Sequence, residues 1–162
     1  MNAAGGGHSD VVKWLLTEVG EGRSGTKAMN YTMSAAVANG DVELVRWLQD
    51  EKGIPLPRCG AFYEAAAKGC LAMLQSYFTQ AANGTGVLLR AAESGHLDIV
   101  RWVINREIEG GVCPKTNGEG ANKNALTSLG GEASLSIHVA AVNGHVEVAK
   151  YLLEHVDCCP RD

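Results

Sequence analysis

A glycine that returns five times in the same setting constrains this chain more than any other feature. Five segments share it: AAGGGHSDVVKWLL (3–16), AVANGDVELVRWLQ (36–49), AAAKGCLAMLQSYF (65–78), AAESGHLDIVRWVI (91–104) and AAVNGHVEVAKYLL (140–153). In each, a small pair is followed two residues later by Gly7, Gly40, Gly69, Gly95 or Gly144. The fourth and fifth residues after that glycine are apolar in every copy, from Val11/Val12 to Val148/Ala149. In four copies the third is acidic and the sixth basic: Asp10/Lys13, Glu43/Arg46, Asp98/Arg101 and Glu147/Lys150. The seventh is Trp14, Trp47, Trp102 and Tyr151, so all three tryptophans occupy one repeat position. The chain is a repeat protein, and its 20 glycines against 4 prolines follow from that.

At about 100° per residue, the positions after each glycine place offsets 2, 4, 5, 7, 8 and 9 on a wide apolar arc and offsets 3 and 6 on a polar strip. Such an arc belongs to a helix packed between neighbours. The acid–base pairs, at i and i+3, lie on the solvated strip as surface support rather than catalytic dyads. A shorter helix precedes each glycine, anchored seven residues before it by Met33, Phe62, Leu88 or Ile137 in copies two to five. The glycine ends that helix because it enters the left-handed region at little cost. The unit is helix, glycine turn, helix.

This unit resembles the ankyrin repeat. The family pattern T-P-L-H-x-A-A-x-x-G-H-x-x-V-V-x-x-L-L is met best by LSIHVAAVNGHVEVAKYLL (135–153), with His138, Ala140, Ala141, Gly144 and His145 in register. Copy four keeps AAESGHLDIV, while copies two and three carry Ser34 and Tyr63 in place of the histidine. The Thr-Pro pair is missing throughout, and the Trp-Leu-rich second helix resembles divergent arrays of algae, oomycetes and large viruses. The resemblance implies an all-α solenoid of helix-turn-helix repeats with short or degenerate hairpins. Repeats are expected at about 1–25, 26–56, 57–82, 83–106 and 134–157.

The glycine-to-glycine steps are 33, 29, 26 and 49. The first equals the ankyrin period of about 33. The two short steps predict tight turns between repeats. The long one predicts an inserted Gly-rich loop over 107–133, with at most one helical turn near Asn122–Leu129, read as a tolerated surface insertion. Copy one carries only a stub of a first helix and neither end shows a polar capping repeat, so Val11, Leu15 and Leu16 are expected to find little cover.

Composition and motifs point away from chemistry. Net charge is -4, without the basic patch that nucleic acid requires. No apolar run approaches the length of a membrane span and no secretory signal is visible, so a cytoplasmic or nuclear setting is expected. Five cysteines without CxxC are expected as reduced thiols. His155 with Cys158 and Cys159 is a poor start for a tetrahedral zinc site. His8, His96 and His145 share their repeat position with Asp41 and Cys70, and that interchange identifies a structural role around the turn. There is no GxSxG, no HExxH and no GxxxxGK[ST]. No catalytic residue, metal, cofactor or small-molecule substrate is expected.

Stacked repeats display a constant framework with variable exposed positions. The resemblance implies a protein-interaction scaffold whose partner docks on the concave face and hairpin tips. It assigns contact to the positions just before each glycine, among them Asn39, Lys68, Glu93, Ser94 and Asn143. Glu64 and Arg90, five residues before their glycines, vary in sign between copies on the same helix. Two other readings are a targeting or substrate-recognition segment of a larger enzyme or ubiquitin-ligase adaptor, and an uncapped array fragment with no partner of its own. Monomers, or weak self-association through uncapped ends, are expected.

Overall fold

The structure is a computed structural model that describes residues 8–18, 25–78, 84–107 and 123–156. Among them the ordered elements are all helical: α1 Ser9–Glu18, α2 Gly25–Ala38, α3 Val42–Asp50, α4 Gly60–Ala67, α5 Leu71–Tyr77, α6 Gly84–Ser94, α7 Leu97–Glu107, α8 Lys123–Val142 and α9 Val146–Val156. The pairs α2/α3, α4/α5, α6/α7 and α8/α9 are copies two to five, and α1 is the second helix of copy one. The chain divides into two compact units, Met1–Ala82 and Asn83–Asp162.

The small pair and the glycine form one hydrogen-bonded device. Gly40 N–H donates to the Val37 carbonyl (3.1 Å) and Asp41 N–H to the Ala36 carbonyl (3.0 Å). That is the Schellman pattern, which satisfies carbonyls a helix end would otherwise leave open. Copies three to five repeat it on Ala65/Ala66, Ala91/Ala92 and Ala140/Ala141. Each of the four turns holds its glycine between φ +74° and +80°. The small pair supplies the acceptors and, by its size, lets the helix bury there: Ala36, Val37, Ala65, Ala66, Ala91, Ala92 and Ala140 are fully buried.

In the first unit, α2 packs on α3 and α4, and α4 on α5. Met33, Leu44, Leu48, Phe62, Met73 and Leu74 make its core, with Phe62 and Phe78 edge to face at 5.8 Å. In the second unit, α6 packs on α7 and α8, and α8 on α9, around Leu88, Ile99, Val100 and Leu152. Three of the four anchors before the glycine (Met33, Phe62, Leu88) are core residues, and Ile137 is half-buried.

Two expectations about spacing are corrected. The 29-residue step is not closed by a tight turn: nine non-helical residues, 51–59, join α3 to α4. Pro55 and Pro57 within them cannot donate to a helix and hold the chain extended. The shortening falls on the first helix of the repeat, with α4 at 8 residues against 14 for α2. The 107–133 segment is not loop to its end. Helix α8 begins at Lys123 and runs 20 residues through Gly130 and Gly131 into the first helix of copy five. Ala133, Ser136 and Ala140, at i, i+3 and i+7, bury one face of that helix, and packing against α6 and α9 overrides the glycines' low propensity. Residues 108–122 lie outside the described residues.

Candidate partner-binding groove

In three copies the residue after the turn glycine joins its repeat to the preceding one. Asp41 caps α3, its Oδ1 accepting from Leu44 N–H at 2.9 Å, while its Oδ2 accepts from the Ser9 hydroxyl of α1. Cys70 packs beneath Gly40, where an added Cβ would meet its Sγ at 2.6 Å. His145 Nε2–H donates to the Glu93 carbonyl at 3.0 Å, satisfying one of the last carbonyls of α6. The histidine thus reaches back to the preceding repeat rather than around its own turn. Desolvation pushes the Cys70 thiol pKa up, against a lowering pull from Lys68. His8 is exposed, and His138 is exposed on α8.

Helices α2 and α4, packed on one another, are two walls of a groove of about 500 Å3 within the first unit. Its floor is small, with Ala35 and Ala38 from α2 and Gly60 and Ala61 from α4. Tyr31, 60% exposed, stands at one end beside Pro57 and Arg58, and Asn39 and Lys68 close the other. Glu64 lies between the two ends. Lys68 Nζ donates to Asn39 Oδ1 at 2.6 Å, tying the residues before two successive glycines together. The groove is lined by alanine methyls, one aromatic ring, two cations and one carboxylate. It offers apolar contact and directed polar contact in one place, the composition of a binding surface.

Three of the sequence-predicted contact residues, Asn39, Glu64 and Lys68, are therefore brought together. The others fall in the second unit. Arg90 pairs with Glu93 along α6 at 2.8 Å, both half exposed, and this i, i+3 pair adds about 0.2–0.5 kcal/mol. Ser94 is half-buried at the end of α6. Asn143 folds its amide back on the Val139 carbonyl at 3.0 Å. Sequence reasoning missed Tyr31 and Arg58. Tyr31 sits four residues before Ala35, and a large aromatic on the polar side of a first helix was the available signal. Arg58 lies in the Pro-containing connection, whose path no repeat position encodes.

On the outer helices the recurring aromatics are flanked by cations: Lys52 over Trp47 (5.8 Å), Arg106 over Trp102 (5.4 Å) and Arg101 over Tyr151 (5.2 Å). Arg101 thereby contacts the next repeat, while Glu147 and Lys150 make the expected pair at 3.5 Å. His155 donates from Nδ1 to the Tyr151 carbonyl and stacks on that ring at 4.0 Å. Cys158 and Cys159 lie outside the described residues, as does Cys113. Among the described residues no group of three or more His, Cys, Asp or Glu side chains is placed to hold a metal ion. No helix among them is long and apolar enough to cross a membrane.

Helix pairs stacked through glycine turns define an all-α repeat protein of the solenoid type. The family model described as "Ankyrin repeats (3 copies)" matches residues 1–162, and the chain belongs to the ankyrin-repeat family. Comparison with curated proteins found no match, and comparison with solved structures found none either. Members of this family are in general protein–protein interaction modules without catalytic activity of their own.

Proposed function

We propose that this chain is a non-catalytic scaffold that holds a segment of a protein partner on the exposed side of its first helices. The groove between α2 and α4 is the principal contact, with Asn39, Glu64 and Lys68 among the touching residues. Arg90, Glu93, Ser94 and Asn143 are the corresponding contact strip in the second unit. The observation that carries this reading is the division of labour within the repeat. Turn, small pair and post-glycine residue are committed to one another by hydrogen bonds, whereas Tyr31, Arg58 and Glu64 project exposed polar and aromatic surface beside an alanine floor. Acidic balance and the absence of any apolar helix of spanning length among the described residues fit work in the cytoplasm or nucleus.

A random twelve-residue peptide library selected on the full chain tests this. Selected peptides are expected to lose binding to A61R, which fills the groove floor from α4, while the variant keeps its helical circular dichroism. Peptides that bind A61R as well as the parent would remove the groove from the reading.

A further inference from the structure

We propose that the groove between α2 and α4 selects an extended peptide carrying two acidic side chains four residues apart, with no acidic residue midway. This rests on the reading of the chain as an interaction module and names the chemistry of the segment it takes. Arg58 lies just before α4 and Lys68 just past its end, so the two cations bracket the groove. Between them α4 spans 8 residues, and a helix of that length rises about 12 Å. An extended chain covers that distance in about four residues. Residues i and i+4 of such a chain also point to the same side, so both acidic groups face the groove together.

The middle of the groove sets the second half of the pattern. Glu64 is exposed there, and its carboxylate makes no ion pair among the described residues. It repels an acidic side chain at i+2 and accepts a neutral or basic one. Arg58 is exposed and likewise makes no ion pair among the described residues, so its guanidinium is open to bidentate contact with a carboxylate. Lys68 spends one of its three donors on Asn39 and keeps two. The floor of Ala35, Ala38, Gly60 and Ala61 leaves space for an extended backbone rather than a bulky helix. This arrangement also disfavours a nucleic-acid strand. Its regularly spaced phosphates would set one against Glu64, on a chain whose net charge is already -4.

The test takes the peptides selected on the full chain and reads their composition, then their affinity by fluorescence anisotropy. Asp or Glu is expected at two positions four apart, and replacing both with Gln is expected to weaken binding about tenfold. R58E and K68E are each expected to weaken the selected peptide about fivefold or more, with a steep loss in added salt. E64Q is expected to tighten it, a change that an unfolded variant cannot imitate. Selected peptides that are neutral or basic, yet still lost in A61R, would overturn the acidic specificity and leave the interaction reading standing. Selection of nothing that A61R abolishes would overturn both. A ten-nucleotide oligothymidine that binds as tightly as the selected peptide and is lost in R58E would overturn the assignment to a peptide.

Discussion

Gly95 and Gly144 occupy the same repeat position but differ in what surrounds them. Both hold positive φ, +80° and +79°. A Cβ on Gly95 would meet the His145 ring at 2.5 Å, whereas one on Gly144 would meet nothing within 4 Å. Gly144→Ala therefore carries only the backbone penalty of about 1–2 kcal/mol. Gly95→Ala adds displacement of His145 and its bond to the Glu93 carbonyl, worth about 1 kcal/mol more. Thermal melts of the two variants should rank Gly95→Ala as the less stable, and equal melting temperatures would show that the His145 contact contributes nothing. Cys70 supplies a second residue-scale expectation. Burial disfavours its thiolate, so at a fixed pH near 8 its iodoacetamide alkylation should be slower than that of a free cysteine and should rise steeply as pH increases. Site-resolved mass spectrometry reads the rate, and reaction at the speed of free cysteine would contradict the burial.

At the scale of the element, α8 carries one unbalanced group. Ser136 is fully buried and its hydroxyl has no hydrogen-bond partner among the described residues. The corresponding residue of α2, Thr32, bonds back to the Ala28 carbonyl at 2.8 Å, and that of α4 is Ala61. Burying an unpaired hydroxyl costs about 1–3 kcal/mol. Ser136→Ala removes that cost without a cavity of any size, so the melting temperature should rise by about 2–4 °C for each kcal/mol recovered. A lower melting temperature would mean that the hydroxyl has a partner. Helix α3 gives the opposite case. Asp41 both caps it and holds Ser9, so Asp41→Ala should destabilise by about 1–2 kcal/mol in a denaturant titration.

Across the whole molecule, one repeat position that is core in four copies is surface in the first. Leu44, Met73, Ile99 and Val148 are at most 2% exposed, but their counterpart Val11 is 48% exposed. Leu15 is 40% exposed where Leu48 and Leu152 are fully buried, and Trp14 is 61% exposed. Leu16 is half-buried and Val12 buried, so one face of α1 is covered and the other is not. In a repeat array each helix is stabilised by its neighbours, and an apolar face left open favours association. Sedimentation should show concentration-dependent association of this chain that weakens in V11S and L15S. Amides of 11–18 should also exchange faster than those of 99–107. Equal protection in a strictly monomeric chain would show that α1 needs no further cover.

The repeat itself was legible without coordinates, because its signals are local. Small pair, glycine and following apolar residues interact within one turn and two short helices, so a recurring sequence pattern maps directly onto a recurring hydrogen-bond pattern. The same holds for the Asp41 cap, for Glu64 on α4, and for Asn39 and Lys68 just past the ends of α2 and α4. What lay between repeats was not legible. Nothing in the composition of 107–133 announces that its last part continues as α8, because the stabilising contacts lie on other helices, among them α6, which is far away in the chain. The back-bond of His145 to the Glu93 carbonyl spans 52 residues, and the pairing of Lys68 with Asn39 spans 29. Arg58 reaches the groove from the proline-containing connection that leads into α4. Repeat identity is written in short-range hydrogen bonding and side-chain size. The groove and its charge pattern exist only once neighbouring repeats are packed, because each wall comes from a different one.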